Sequence, residues 1–149
     1  MVFGAFQAMK DQARNMRSRR KPSPQGEASA IEADEISRLM DLGDLYFRSE
    51  NFASALESYS RARTGLPRSG RDYEKGLLDI KVARCYRARG EYLKAIEHLD
   101  RAKVDLRSRR DSIQLAKLYS LRGNILLSMG RYLRAQRYCD LAYKLLRGT

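Results

Sequence analysis

The sequence predicts an all-α fold, a solenoid of three antiparallel helix pairs, and three observations carry the prediction. The chain repeats itself at a constant period of 40 residues, so that Gly43, Ala83 and Gly123 are equivalent, as are Ala55, Ala95 and Ala135. Stacked supersecondary units leave this kind of self-similarity. Within each unit, apolar residues recur three and four positions apart, the spacing of one helix face. Turn residues separate the apolar runs at Glu50-Asn51, Gly90-Glu91 and Gly130-Arg131.

Each element follows in order. The first helix is expected over 30–49, opened by the capping-box pattern Ser29-Ala30-Ile31-Glu32. In it Gly43 lets the second helix come close, and Tyr46, three residues on and on the same face, fills the space beside it. The second helix, 52–65, carries Ala55, Tyr59 and Ala62, a narrow seam for the next unit, and ends before Pro67 and Gly70. The third, 72–89, repeats the small–aromatic pair as Ala83 and Tyr86, and the fourth, 92–107, repeats the seam as Ala95, Leu99 and Ala102. The fifth, 112–129, opens on Asp111-Ser112-Ile113-Gln114, again a capping box, and carries Gly123 and Leu126. The sixth, 132–147, carries Ala135, Cys139 and Ala142. Units therefore span about 29–69, 70–109 and 110–149, behind an arm of residues 1–28.

The arm reads as basic and flexible. Residues 17–26 hold two prolines and a run of like charges, which argue for a linker. Phe3, Phe6, Met9, Ala13 and Met16 trace a weak cationic amphipathic helix ahead of it.

Leu39, Leu42-Gly43, Tyr46, Ala55, Tyr59, Ala62 and Pro67 fall on the spacing of a known signature, and the first unit resembles the tetratricopeptide repeat family. The second unit keeps Ala83, Tyr86, Gly90, Ala95 and Ala102, and the third keeps Gly123, Gly130, Ala135 and Ala142. The period of 40 exceeds the usual repeat of about 34 residues. Asp79, Arg122 and Gln136 also stand where large or apolar residues are usual. The resemblance implies a right-handed solenoid that recognises proteins, with first helices lining a concave groove.

Mapped onto this chain, the implied groove positions are Met40, Asp41, Asp44 and Phe47 in the first unit. The second unit supplies Leu77, Ile80, Lys81, Arg84 and Arg87, and the third Lys117, Ser120, Leu121, Asn124 and Leu127. Such a groove would run from acidic through basic to mixed and suit a peptide or helix with acidic groups. The carboxylate clamp of the chaperone-binding members maps onto Met40, Asp44, Lys81, Lys117 and Leu121, where only the lysines fit. Binding to a chaperone tail is not expected.

Charge sharpens the choice of partner. The 149 residues carry 30 Lys and Arg against 18 Asp and Glu, a net of +12. Residues 26–69 hold five bases and eight acids, whereas residues 111–149 hold seven bases and two acids. The first unit is thus acidic inside a basic chain. An alternative function follows, association with nucleic acid or an anionic membrane surface. It would use Arg17, Arg19, Arg20 and Lys21 on the arm, with a ridge of Arg101, Lys103, Arg107, Arg109, Arg110, Arg131, Arg134, Arg137 and Lys144. Peptide binding is the preferred reading because the family resemblance implies it, and no nucleic-acid motif accompanies these cations.

Little else in the chain offers chemistry. Cys85 and Cys139 have no metal-like spacing and read as buried packing residues in a reducing, cytoplasmic setting. His98 shows no acid or nucleophile companion. No Walker loop, His-Glu-x-x-His or Gly-x-Ser-x-Gly occurs, so no enzyme, cofactor or metal is expected. Leu133, Tyr138, Leu141, Leu145 and Leu146 would lack part of their cover on the sixth helix, so this face is expected to dock onto another copy or a partner, or to meet a further unit of a longer array.

Overall fold

The computed structural model describes residues 24–68 and 70–148 and the isolated residue 7; side chains within 24–31 are not described. Six helices follow one another among these residues: α1 (Pro24–Arg48), α2 (Phe52–Gly65), α3 (Asp72–Ala88), α4 (Tyr92–Leu106), α5 (Ser112–Ser128) and α6 (Tyr132–Arg147). A short 3-10 turn, Arg107–Arg109, follows α4. Glu35–Thr149 forms one compact unit, and the other, Met1–Asp34, is described chiefly by the opening turns of α1. No described helix is long and apolar enough to cross a membrane.

The fold is all-α. Helices α1 and α2, α3 and α4, and α5 and α6 pack as three antiparallel pairs, and neighbouring pairs meet through α2 against α3 and α4 against α5. Helices α3 and α5 also touch directly, which sets the first helices of two units side by side. The expected spans match within two residues for α2 to α6. Helix α1 differs: it starts at Pro24, inside the expected linker, and Ser29 lies within the helix instead of capping it. A proline in the first turn costs little, because the amide it lacks would have no helical partner there. The arm cations Arg17, Arg19, Arg20 and Lys21, and the amphipathic stretch before them, lie outside the described residues.

The three hairpin turns share one geometry. Glu50, Gly90 and Gly130 take φ of +60°, +77° and +74°, and each following amide donates back into its helix. Asn51 N–H reaches Tyr46 O at 2.9 Å, Glu91 N–H reaches Tyr86 O at 2.8 Å and Arg131 N–H reaches Leu126 O at 2.8 Å. Asn51 also caps α2 by accepting from Ser54 N–H, and Asp111 caps α5 by accepting from Ile113 and Gln114 N–H. These satisfy amides that a helix leaves unpaired at its start.

Two apolar clusters hold the pairs together, and α3 belongs to both. Leu78, Val82 and Cys85 of α3 join Ile36, Ala55, Tyr59, Ala62 and Leu66. Ile80 and Ala83 join Ala95, Leu99, Ala102 and Leu106 of α4 and Leu118, Leu121 and Ile125 of α5. Fully burying one such large side chain stabilises by about 2 kcal/mol relative to exposure. The seam behaves as expected in α2 and α4, where both alanines and the large residue between them are buried.

In α6 the seam departs from expectation. Ala135 and Ala142 are buried but Cys139 is exposed, which corrects its reading as a packing cysteine. Its counterparts Tyr59 and Leu99 are covered by the helix pair that follows them, and no pair follows α6 among the described residues. On the same helix Leu133, Leu141 and Leu146 are exposed, while Tyr138 and Leu145 are half-buried.

The two thiols should therefore behave differently. Burial pushes the Cys85 thiol up to about 11, so little of the reactive thiolate forms near neutral pH. Titration of the native protein with a disulfide reagent at mildly alkaline pH is expected to modify Cys139 promptly. Cys85 should react more slowly by about a hundredfold or more, until denaturant exposes it. Two equivalents reacting together in the native state would show that α3 is not packed as described.

Candidate functional site

The first-helix face of the array holds an open cavity of about 800 Å³. Helix α3 lines it with Leu77, Ile80, Lys81, Arg84 and Arg87, and α5 with Lys117, Ser120, Leu121 and Asn124. These positions recur three and four residues apart on each helix and so share one face. Ile113, Gln114 and Ala116 extend the wall, with Ala142 and Leu146 of α6 at one end. The floor is apolar: Ile80 and Leu121 are nearly buried parts of the core, not free contact residues. A smaller depression of about 360 Å³ adjoins it, lined by Asp44, Phe47, Arg48, Lys81 and Arg84. Lys81 and Arg84 line both cavities. Met40, Asp41 and Leu127 line neither, although the family resemblance mapped them onto this face.

The electrostatics correct the expected acidic-to-basic gradient. Asp44 is not a free acidic pole: Lys81 Nζ donates to both its carboxylate oxygens at 2.7 Å, and Tyr59 Oη donates to Oδ1 at 2.6 Å. Burial alone would raise this carboxyl, but the bonds from Lys81 and Tyr59 outweigh it and hold the group below its ordinary value. Burial and the same carboxylate drive the Tyr59 hydroxyl upward, so it stays a donor. Lys81 is spent on this contact, 37 residues away in sequence.

The other groove cations are held differently. Arg84 lies 4.5 Å above the Phe47 ring, a cation–π contact that holds its guanidinium at the cavity edge. Arg84, Arg87 and Lys117 form no ion pair among the described residues. The groove is therefore cationic over an apolar floor, and its one lined acid is neutralised from within.

A second polar centre was not legible as such. Asp79 is fully buried; its Oδ2 accepts from Arg63 Nη1 at 2.7 Å, and its Oδ1 lies 2.8 Å from His98 Nδ1. Facing a carboxylate oxygen, Nδ1 is the ring nitrogen that carries the proton. His98 thus has the acid partner that the sequence withheld, and its ring stacks on Tyr86 at 5.4 Å. The available signal was Asp79 itself, an acid at an apolar register position. The centre ties α2, α3 and α4 together and lines neither cavity on the first-helix face.

The expected basic ridge also divides. Arg134 and Arg137 line a separate cleft of about 550 Å³ between α4 and α6, whereas Arg101, Arg107, Arg109 and Arg110 do not. Arg107 and Arg109 belong to the turn after α4, and Arg109 covers the Tyr73 ring at 4.4 Å. Among the described residues no group of three or more His, Cys, Asp or Glu is placed to hold a metal ion. No protein-family profile matches the chain, and no curated protein matches it in sequence.

Proposed function

We propose that the chain is a long-period tetratricopeptide-like array working as a non-catalytic adaptor, whose first-helix groove binds an acidic peptide or helix of a partner protein. One observation carries this reading. Arg84, Arg87 and Lys117 form no ion pair among the described residues, and they surround a cavity of about 800 Å³ floored by Leu77, Ile80 and Leu121. An amphipathic acidic segment supplies both halves of the match, with carboxylates at the rim and apolar side chains on the floor. The three 40-residue units and their paired packing agree with the family resemblance.

The test is affinity capture from a native extract, paired with anisotropy of a labelled Glu/Leu amphipathic peptide. Arg84→Glu/Arg87→Glu is expected to weaken peptide binding by at least about tenfold, since each reversed rim charge now repels the ligand. Lys81 is left intact because reversing it would strand Asp44 and confound binding with stability. Capture of the same partners by the wild type and the variant would refute the groove assignment.

A further inference from the structure

The cleft on the second-helix face carries more charge than the fold requires. Its wall holds Lys103, Arg122, Arg131, Arg134 and Arg137, and its floor is built from Leu93, Ile96, Leu126, Met129 and Leu141. The preceding junction of the same array provides an internal control, position by position. At the start of α4 stand Glu91, Lys94 and Glu97; 40 residues on, at the start of α6, stand Arg131, Arg134 and Arg137. In α4, Glu91 pairs with Lys94 at 2.6 Å and with Arg89 at 2.9 Å, so that end of the helix is internally neutralised. Both helices form and cap alike without a side-chain bond at the first position, so the arginines are not a demand of helix or packing.

The deeper positions change in the same direction. Arg63, Asp79 and His98 close the first junction; their equivalents in the second are Lys103, Tyr119 and Tyr138. The carboxylate has gone, and Lys103 rests 5.5 Å above the Tyr119 ring. Arg122 gives Nη1 to Asp100 and covers the Tyr138 ring, but its buried Nε–H finds no acceptor among the described residues. Lys103, Arg131, Arg134 and Arg137 make no ion pair among those residues either.

We infer that this cleft binds the phosphate of an anionic phospholipid, with the start of a hydrocarbon chain laid on the aliphatic floor. Guanidinium forks match phosphate oxygens in shape and charge, and three of the unpaired cations are arginines. The floor decides against nucleic acid. Tyr138 is engaged by Tyr119 and Arg122 and offers no free ring for stacking, whereas five aliphatic or thioether side chains line the cleft, Leu93 and Leu141 among them exposed. The site is separate from the first-helix groove and does not depend on the function proposed there.

Calorimetric titration with monomeric dihexanoyl phosphatidic acid tests the site, alongside co-sedimentation with phosphatidylcholine vesicles containing or lacking phosphatidic acid. Arg134→Glu/Arg137→Glu is expected to weaken binding by about tenfold or more. Arg101→Glu/Arg107→Glu makes the same change in net charge outside the cleft and should alter it less than about twofold. All four side chains are exposed, and matching thermal transitions would confirm that both variants fold. Leu141→Gln should weaken the lipid but not inorganic phosphate. Saturable binding in either arm with this selectivity supports the inference, and the responding arm shows whether the lipid is taken free or from a membrane. Equal losses in both double variants would reduce the effect to bulk charge and overturn it. So would binding of inorganic phosphate as tight as that of the lipid, no binding in either arm, or displacement of the lipid by an acidic peptide whose binding is lost in Arg134→Glu/Arg137→Glu.

Discussion

Replacing Asp79 by Ala is expected to destabilise the folded array by about 3 kcal/mol, read as a lower urea midpoint at unchanged slope. Asp79 is fully buried on α3 and accepts from Arg63 of α2 and faces His98 of α4, so one carboxylate links two helix pairs. Removing it leaves the Arg63 guanidinium with only the Lys75 carbonyl, at 3.4 Å, and a ring N–H without its acceptor. The value sits at the lower end for a buried pair because Arg63 is 35% exposed and can turn toward water. The companion variant Arg63→Met/Asp79→Leu/His98→Leu removes donors and acceptor together. It is expected to recover most of the loss, since apolar groups of similar volume carry no desolvation penalty. If the triple variant falls further than Asp79→Ala, shape and not charge governs this junction.

Gly43→Ala is expected to cost about 2 kcal/mol, against the usual gain of about 1 kcal/mol when Ala replaces Gly inside a helix. A Cβ at Gly43 would overlap the Tyr59 ring, lying 2.7 Å from Cδ1 and 2.9 Å from Cζ. The ring has nowhere to go: Tyr59 is 2% exposed and its hydroxyl is held by Asp44 at 2.6 Å. The second unit solves the same contact with Ala83 against Leu99, both fully buried. Gly43→Ala/Tyr59→Leu copies that pair, and a coupling of about 1 kcal/mol between the substitutions is expected. Additive losses in the double-mutant cycle would show that the ring does not set the spacing of α1 and α2.

These two sites show how much of the molecule is visible in the chain. The period, the hairpin turns and the spans of α2 to α6 follow from local signals: helical spacing, cap residues and glycine or an adaptable residue at positive φ. The small residue opposite a large one was equally legible, because close helix packing needs it wherever the sequence falls. The start of α1 was not, since Pro22 and Pro24 look alike as helix breakers until one is seen to occupy a first turn. Cys139 was misread for a different reason. Burial in a repeat is conferred by the next unit, so the same register position can be core in two units and surface in the third.

The candidate site divides along the same line. The sequence alone determined the all-α repeat, and the family resemblance mapped Arg84, Arg87 and Lys117 onto the groove face of the first helices. Only the tertiary structure decided which charges are free. Lys81 is cancelled by Asp44, Asp79 is shared by Arg63 and His98, and Arg131, Arg134 and Arg137 are left facing one cleft. Helical periodicity orders residues within reach of a few turns, whereas ion pairing depends on which side chains meet across elements, and that is fixed by packing.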